Sequence, residues 1–196
     1  MKSTNIRSLV YTALFAALFI LFSMQQMKLN FTQIPITLQT LAVILAGLFL
    51  RPRDAFASIF VVIILCAMGL NVFGGKGGIS HLLGYTGGFI AAFPICAMLI
   101  SIGVGKWLNN DKLRANKLLS FLALFLLFEV FGSLLAYVPG VPWMMHVLDF
   151  PLSKGLAAGF YPFLPGDAIK SVVAVIIALS LTPQIMKIRS SAKPSN

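Results

Sequence analysis

Charge is what this sequence has least of. Asp, Glu, Lys and Arg together make up 10% of its 196 residues, while apolar residues make up 59%. Ordinary soluble domains carry about 25% charged residues, so a water-solvated globule is excluded and lipid becomes the solvent to consider. Acids are the rarest class, with only Asp54, Asp111, Glu129, Asp149 and Asp167. The two histidines, His81 and His146, have no Cys, His or Glu at ligand spacing, so no metal site is expected. The two cysteines, Cys66 and Cys96, both lie inside apolar runs and read as free buried thiols rather than a disulfide.

Nucleotide and hydrolase signatures are missing as well. Gly75-Lys76 and Gly105-Lys106 lack the glycine five positions earlier and the Ser or Thr that follows in a Walker A loop. No Gly-x-Ser-x-Gly elbow and no His-Glu-x-x-His occurs. ATP hydrolysis by this chain is not expected, no catalytic residue is assigned and an enzyme is the minority reading. The net charge of +10 suggests nucleic acid at first sight. Its distribution argues otherwise, because the basic residues sit in short clusters between apolar runs and form no basic face.

What is present is a series of apolar runs. They predict six membrane-spanning helices at about 8–25, 36–50, 55–72, 85–106, 118–138 and 167–187, in a single polytopic domain over 1–196. Leu9 to Phe22 follows Lys2 and Arg7 as a signal sequence would. No small-residue cleavage site comes after it, so it is expected to stay as the first span. Six spans put both termini on one side, together with Lys2, Arg7, Arg51, Arg53, Lys106, Lys112, Arg114, Lys117, Lys187, Arg189 and Lys193. Lys28, Lys76 and Lys154 fall on the other side. That asymmetry predicts cytoplasmic termini. The outward loops are rich in Gly and Pro, and 151–160 is expected to form a short interfacial helix.

The polar residues inside this apolar frame are the candidates for function. Pro165-Gly166-Asp167-Ala168-Ile169-Lys170 opens the sixth span with an acid and a base three residues apart, on one helical face. One reading is an N-terminal Asp with a snorkelling Lys. The other is a ligand pair, in which Asp167 accepts two N–H bonds from a urea- or amide-like group and Lys170 donates to a carbonyl or carboxylate. Tyr137, Trp143, Phe160, Tyr161 and Phe163 serve either as an apolar wall for that ligand or as an interfacial belt. Gly84-Tyr85-Thr86-Gly87-Gly88-Phe89 heads the fourth span, where glycines allow close backbone approach to a ligand or a helix. Thr37 and Gln39 open the second span and hydrogen-bond a solute or a facing helix, with nothing to separate the two. Glu129, mid-span, is either a proton relay or an acid held neutral by an interior hydrogen bond. Ala13 and Ala17 form a small-x-x-x-small stripe on the first span, suited to internal packing or to a partner helix.

Together these blocks resemble the BioY family, the substrate-binding subunits of energy-coupling factor biotin transporters. The resemblance covers about 10–180 and rests on Pro35-Ile36-Thr37-Leu38-Gln39-Thr40-Leu41-Ala42-Val43, Ala46-Gly47, Tyr85-Thr86-Gly87-Gly88-Phe89, Gly140-Val141-Pro142-Trp143 and Phe163-Leu164-Pro165-Gly166-Asp167-x-x-Lys170. It implies an all-α membrane fold of six helices in a prokaryotic plasma or inner membrane, with biotin as transported ligand and no cofactor. It also implies a site drawn from Asp167, Lys170, Gln39, Tyr85, Thr86, Gly87, Tyr137 and Trp143. The implied partners are membrane lipid, a transmembrane coupling subunit docking at Ala13 and Ala17, and two ATPase subunits. The sequence departs from the family pattern at Tyr85, where that pattern has Pro, at Phe89, where it has Tyr, and at Ser133, where it has Asn. The alternatives in other classes are a stand-alone proton-coupled transporter and an intramembrane enzyme.

Overall fold

The computed structural model describes residues 6–27 and 36–191. The expectations placed on Lys2, Lys28, Pro35 and Lys193 lie outside these described residues. Helix α1 (Ile6–Met24) leads to a two-stranded antiparallel pairing of β1 (Gln26–Met27) with β2 (Ile36–Thr37). Helices α2 (Gln39–Phe49) and α3 (Pro52–Ala67) follow, then a short α4 (Ile79–Leu82) and the long α5 (Gly87–Leu108). After α6 (Asp111–Ala115), helix α7 (Lys117–Glu129) runs through a π turn (Val130–Leu134) into α8 (Leu135–Leu148). The chain closes with α9 (Leu152–Gly159), α10 (Leu164–Ser180) and α11 (Thr182–Ser191).

Among the described residues, three helical stretches are long and apolar enough to cross a bilayer: Ile6–Met24, Gly87–Leu108 and the continuous Lys117–Leu148. Helices α9 and α10 form a fourth such stretch bent by 41°, and α2 is a shorter apolar helix. Helix α2 sits centrally against α1, α3, α5 and α10. Every residue from Ala42 to Leu48 is buried, so this helix meets protein on all sides. Helix α1, by contrast, buries Phe15, Ala16 and Phe19 and leaves Val10, Leu14 and Leu21 exposed, the pattern of a helix with one face to lipid.

Four boundaries differ from the sequence expectation. The second span was expected to be helical from 36, but Ile36 and Thr37 pair as a strand with β1, and the helix begins at Gln39. The Thr37 hydroxyl accepts from the Gln39 N–H at 3.3 Å, a local bond that competes with helix continuation. The third span ends at Ala67 rather than 72, because Gly69 adopts φ +97°, a conformation that favours glycine and stops a helix. The fifth span continues past 138 to Leu148, through Pro139 and Pro142. Each proline removes one backbone donor, yet leaving the helix in an apolar environment would orphan many more groups. The π turn just before the prolines, where the Leu135 N–H bonds back to the Val130 carbonyl, is the local adjustment. The sixth span breaks at Leu181, two residues ahead of Pro183, and α11 sets off separately.

Arg189 on α11 ties the end of α2 to α5. Its guanidinium donates to the carbonyls of Gly47 (3.2 Å), Leu48 (3.1 Å) and Leu50 (2.7 Å), and to the carbonyl of Ser101 (2.7 Å). These include carbonyls that the last turn of α2 leaves without intrahelical partners, and the positive charge complements the helix dipole there. We expect Arg189→Met to cost on the order of 3 kcal/mol of stability by orphaning buried carbonyls. Arg189→Lys should recover only part, since one ammonium lacks the planar fork. A thermal melt of the detergent-purified protein checks this, and an unchanged midpoint for Arg189→Met would count against the clamp.

Candidate ligand-binding site

The beginnings of α2, α5 and α10 converge with the middle of the α7–α8 helix around one cavity. It holds about 830 Å³ of empty space, its open mouth included. Gln26 from β1 and Phe73, Lys76 and His81 from the segment between α3 and α5 also line it. Burial, reinforced by the charge of Lys76, pulls the His81 imidazole below its ordinary range, so a neutral ring borders the cavity at neutral pH.

At the polar end, Asp167 and Lys170 are both buried, with 1% and 8% of their surface exposed. Pro165 near the start of α10 sets the helix going, Asp167 lies in its first turn near the positive dipole end, and one helical turn brings Lys170 alongside. The Lys170 ammonium donates to Asp167 Oδ1 at 3.0 Å and to Thr40 Oγ1 at 3.0 Å. The Thr40 hydroxyl in turn donates to Asp167 Oδ1 at 3.2 Å. The Tyr137 hydroxyl donates to Asp167 Oδ2.

This network narrows the chemistry on offer. A carboxylate has about four acceptor positions and an ammonium three donors. The bonds described engage three of the former and two of the latter. Among the described residues, that leaves one acceptor on Asp167 and one donor on Lys170, rather than an acid free to take two N–H groups. An adjacent acceptor and donor match the edge of an amide or cyclic urea, which presents N–H beside C=O.

Next to this polar end the wall is aromatic. Tyr137 meets Phe89 edge-on at 5.9 Å and Phe160 at 5.0 Å between ring centroids, and Phe89, Phe93 and Phe163 line the cavity. Tyr161 is 56% exposed and is not among the lining residues.

Of the residues singled out in the sequence, Gln39, Tyr85, Thr86, Tyr137, Asp167 and Lys170 line one cavity. Gly87 and Trp143 stand behind the wall. A Cβ at Gly87 would fall 1.9 Å from the Leu82 carbonyl oxygen, and the Trp143 indole donates to the Gly84 carbonyl at 2.9 Å. Their role is to hold the loop before α5 against α8. Thr40 was missed as a site residue, although its hydroxyl bridges the acid and the base. The available signal was its place one residue past Gln39, at the start of an otherwise apolar helix.

Glu129 ends α7 and accepts a 2.7 Å hydrogen bond from the Ser171 hydroxyl, next in sequence to Lys170. It therefore lies beside the site's supporting helix, not isolated in the span. Ala13 and Ala17 are both exposed on α1, on the side opposite Phe15 and Phe19. Of the two readings for this stripe, packing within the described residues is set aside.

Comparison with known proteins agrees with this geometry. The BioY family model matches residues 1–187. A probable biotin transporter BioY of Bacillus subtilis (strain 168) is 36% identical over 174 residues, covering 88% of this chain and 87% of the relative. A probable biotin transporter BioY of Pyrococcus horikoshii is 38% identical over 154 residues, covering 78% of this chain and 83% of the relative. Among solved structures, the S-component for biotin from an ECF-type ABC transporter superimposes with a TM-score of 0.80 at 27% identity, covering 91% of this chain and 92% of that one. The chain belongs to the BioY family.

Proposed function

We propose that this protein captures biotin and acts as the membrane substrate-binding subunit of an ATP-driven energy-coupling factor transporter. The observation that carries this reading is the buried Asp167–Lys170–Thr40 network, with one acceptor and one donor to spare beside an aromatic wall. The cyclic urea of biotin presents N–H and C=O on one edge, and its rings and aliphatic tail suit the apolar surround. The curated relatives named as biotin transporters and the solved S-component for biotin support the same ligand.

The topology proposed with it has six spans, carried by α1, α2, α3, α5, α7–α8 and α10, with both termini cytoplasmic. Support comes from the charge asymmetry, eleven basic residues against three. The cavity then opens outward, and α11 with Arg189 lies on the cytoplasmic side. Ala13 and Ala17 offer the coupling subunit a surface where two helices can approach closely. The ATPases that drive such a transporter are separate chains, since this one has no phosphate-binding loop.

A second reading, proton-coupled transport by the chain alone, has one observation behind it: the Glu129 carboxyl within hydrogen-bonding distance of Ser171, beside Lys170. The two readings separate in one experiment. Under the S-subunit reading, biotin uptake by cells expressing the transporter is lost when the ATPase subunits are removed and persists in Glu129→Gln at half or more of the wild-type rate. Uptake that survives loss of every ATPase but collapses with a protonophore and in Glu129→Gln would establish the second reading instead.

A further inference from the structure

The buried serines form a consistent set with one exception. Ser23 and Ser58 bond back to carbonyls of their own helices, at Phe19 (2.7 Å) and Ala55 (2.8 Å), as serines within helices commonly do. Ser101 and Ser120 donate to the carbonyls of Leu50 and Leu113. Ser8 and Ser171 donate to the carboxylates of Asp54 and Glu129. Ser133 is 1% exposed, lines the cavity, and has no hydrogen-bond partner for its hydroxyl among the described residues.

The backbone accounts for the exception. Ser133 lies within the π turn Val130–Leu134, where the extra residue per turn shifts the carbonyls out of the register a helical serine uses. Such turns occur mostly as single interruptions in α-helices, often at functional sites. The same helix presents Tyr137 one turn later, and its hydroxyl donates to Asp167. The orphan hydroxyl is thus placed along the cavity wall beside the polar end. A buried polar group without a partner is costly unless something else meets it.

The geometry points to Ser133 as a specificity-determining ligand contact, its hydroxyl completing the hydrogen bonds of the captured molecule's cyclic urea. This rests on the reading of the cavity as a biotin site and adds a third polar contact to the acceptor of Asp167 and the donor of Lys170. A ligand with apolar rings alone would leave the hydroxyl buried and unmet, so Ser133 selects against it.

The test is equilibrium binding of biotin and of desthiobiotin, which keeps the cyclic urea and lacks the thioether, to the detergent-purified full-length chain. Wild type, S133A and the near-isosteric S133C are compared. We expect both variants to bind each ligand about 3- to 10-fold more weakly, the loss of one neutral hydrogen bond. The ligand-free melting temperature of S133A should stay level or rise, because the alanine removes an unmet polar group. Wild-type binding with equal affinity in S133A and S133C would overturn the assignment while leaving the biotin reading intact. A penalty seen with biotin and absent with desthiobiotin would place the hydroxyl on the thioether and overturn the urea contact. Weaker binding that follows a lowered ligand-free melting temperature in both variants would show a structural role and overturn it too. Failure of well-folded wild type to bind either ligand would overturn the site reading, and this contact with it.

Discussion

Asp167→Asn should weaken biotin binding by at least 10-fold, and by 100-fold or more if the ligand N–H is directly on the carboxylate. Hydrogen bonds to charged groups are worth roughly 1.5–3 kcal/mol each, and the substitution also disturbs the site without ligand. Asp167 Oδ1 accepts from both Lys170 and Thr40, and Oδ2 accepts from Tyr137. An Asn puts an NH2 group at one of these positions, where it faces an existing donor. Lys170, only 8% exposed, then keeps its charge beside a neutral amide in place of the carboxylate. Breaking a buried ion pair on one side costs about 3–5 kcal/mol, so reduced thermal stability should accompany reduced affinity. Pairing Asp167→Asn with Lys170→Met should restore much of the stability, since the uncompensated charge goes with it, but none of the binding. Calorimetric melts and binding isotherms on the single and double variants separate the two effects. A double variant that recovers affinity would show that the pair holds the fold and does not touch the ligand.

Ala13→Trp should abolish assembly with the coupling subunit and leave biotin binding unchanged. Ala13 and Ala17 are exposed on one face of α1, flanked by exposed Val10 and Leu14. Exposure in this region means lipid or a partner helix. Without a hydrophobic driving force between helices, close van der Waals approach over small residues is what holds membrane helices together. An indole at that point separates the helices, whereas the ligand network lies on α2, α8 and α10 and is untouched. Co-purification of the coupling and ATPase subunits with tagged Ala13→Trp measures it. Full recovery of the complex would remove this face of α1 from the interface, and loss of biotin binding in the variant would mean that α1 supports the site after all.

Much of the architecture was readable from the sequence because lipid imposes one dominant pattern. Apolar runs in 8–25 and 85–106 mapped onto α1 and α5 within about two residues, since both are uninterrupted and bounded by polar or charged segments. The errors arose where a local rule competed with the membrane rule. Prolines at 139 and 142 read as a loop, yet the helix runs through them to Leu148 because leaving it would strand backbone groups. Thr37 read as helical, but its antiparallel pairing with β1 is not visible in a local window.

The site divided along similar lines. Asp167 and Lys170 were legible because charge is scarce and their spacing is that of one helical turn. Tyr137 was legible as an aromatic near a span end, though not as a donor to Asp167, which depends on how α8 packs beside α10. Thr40 was not picked out, and Ser133 was marked only as a departure from the family pattern. A hydroxyl in an apolar helix has no sequence mark that tells a ligand contact from a serine or threonine bonded to its own backbone. Only the fold shows that Thr40 meets the pair across 127 positions of sequence and that Ser133 lacks a partner among the described residues. Trp143 and Gly87 made the opposite case: prominent residue types whose work is to shape the loop before α5.

The central claim is that this cavity holds biotin, and equilibrium binding of labelled biotin to the detergent-purified wild-type chain, without any partner subunit, tests it most directly. The account predicts saturable binding at one site per chain that unlabelled biotin and desthiobiotin displace. A chain that melts cooperatively yet binds neither molecule would contradict it.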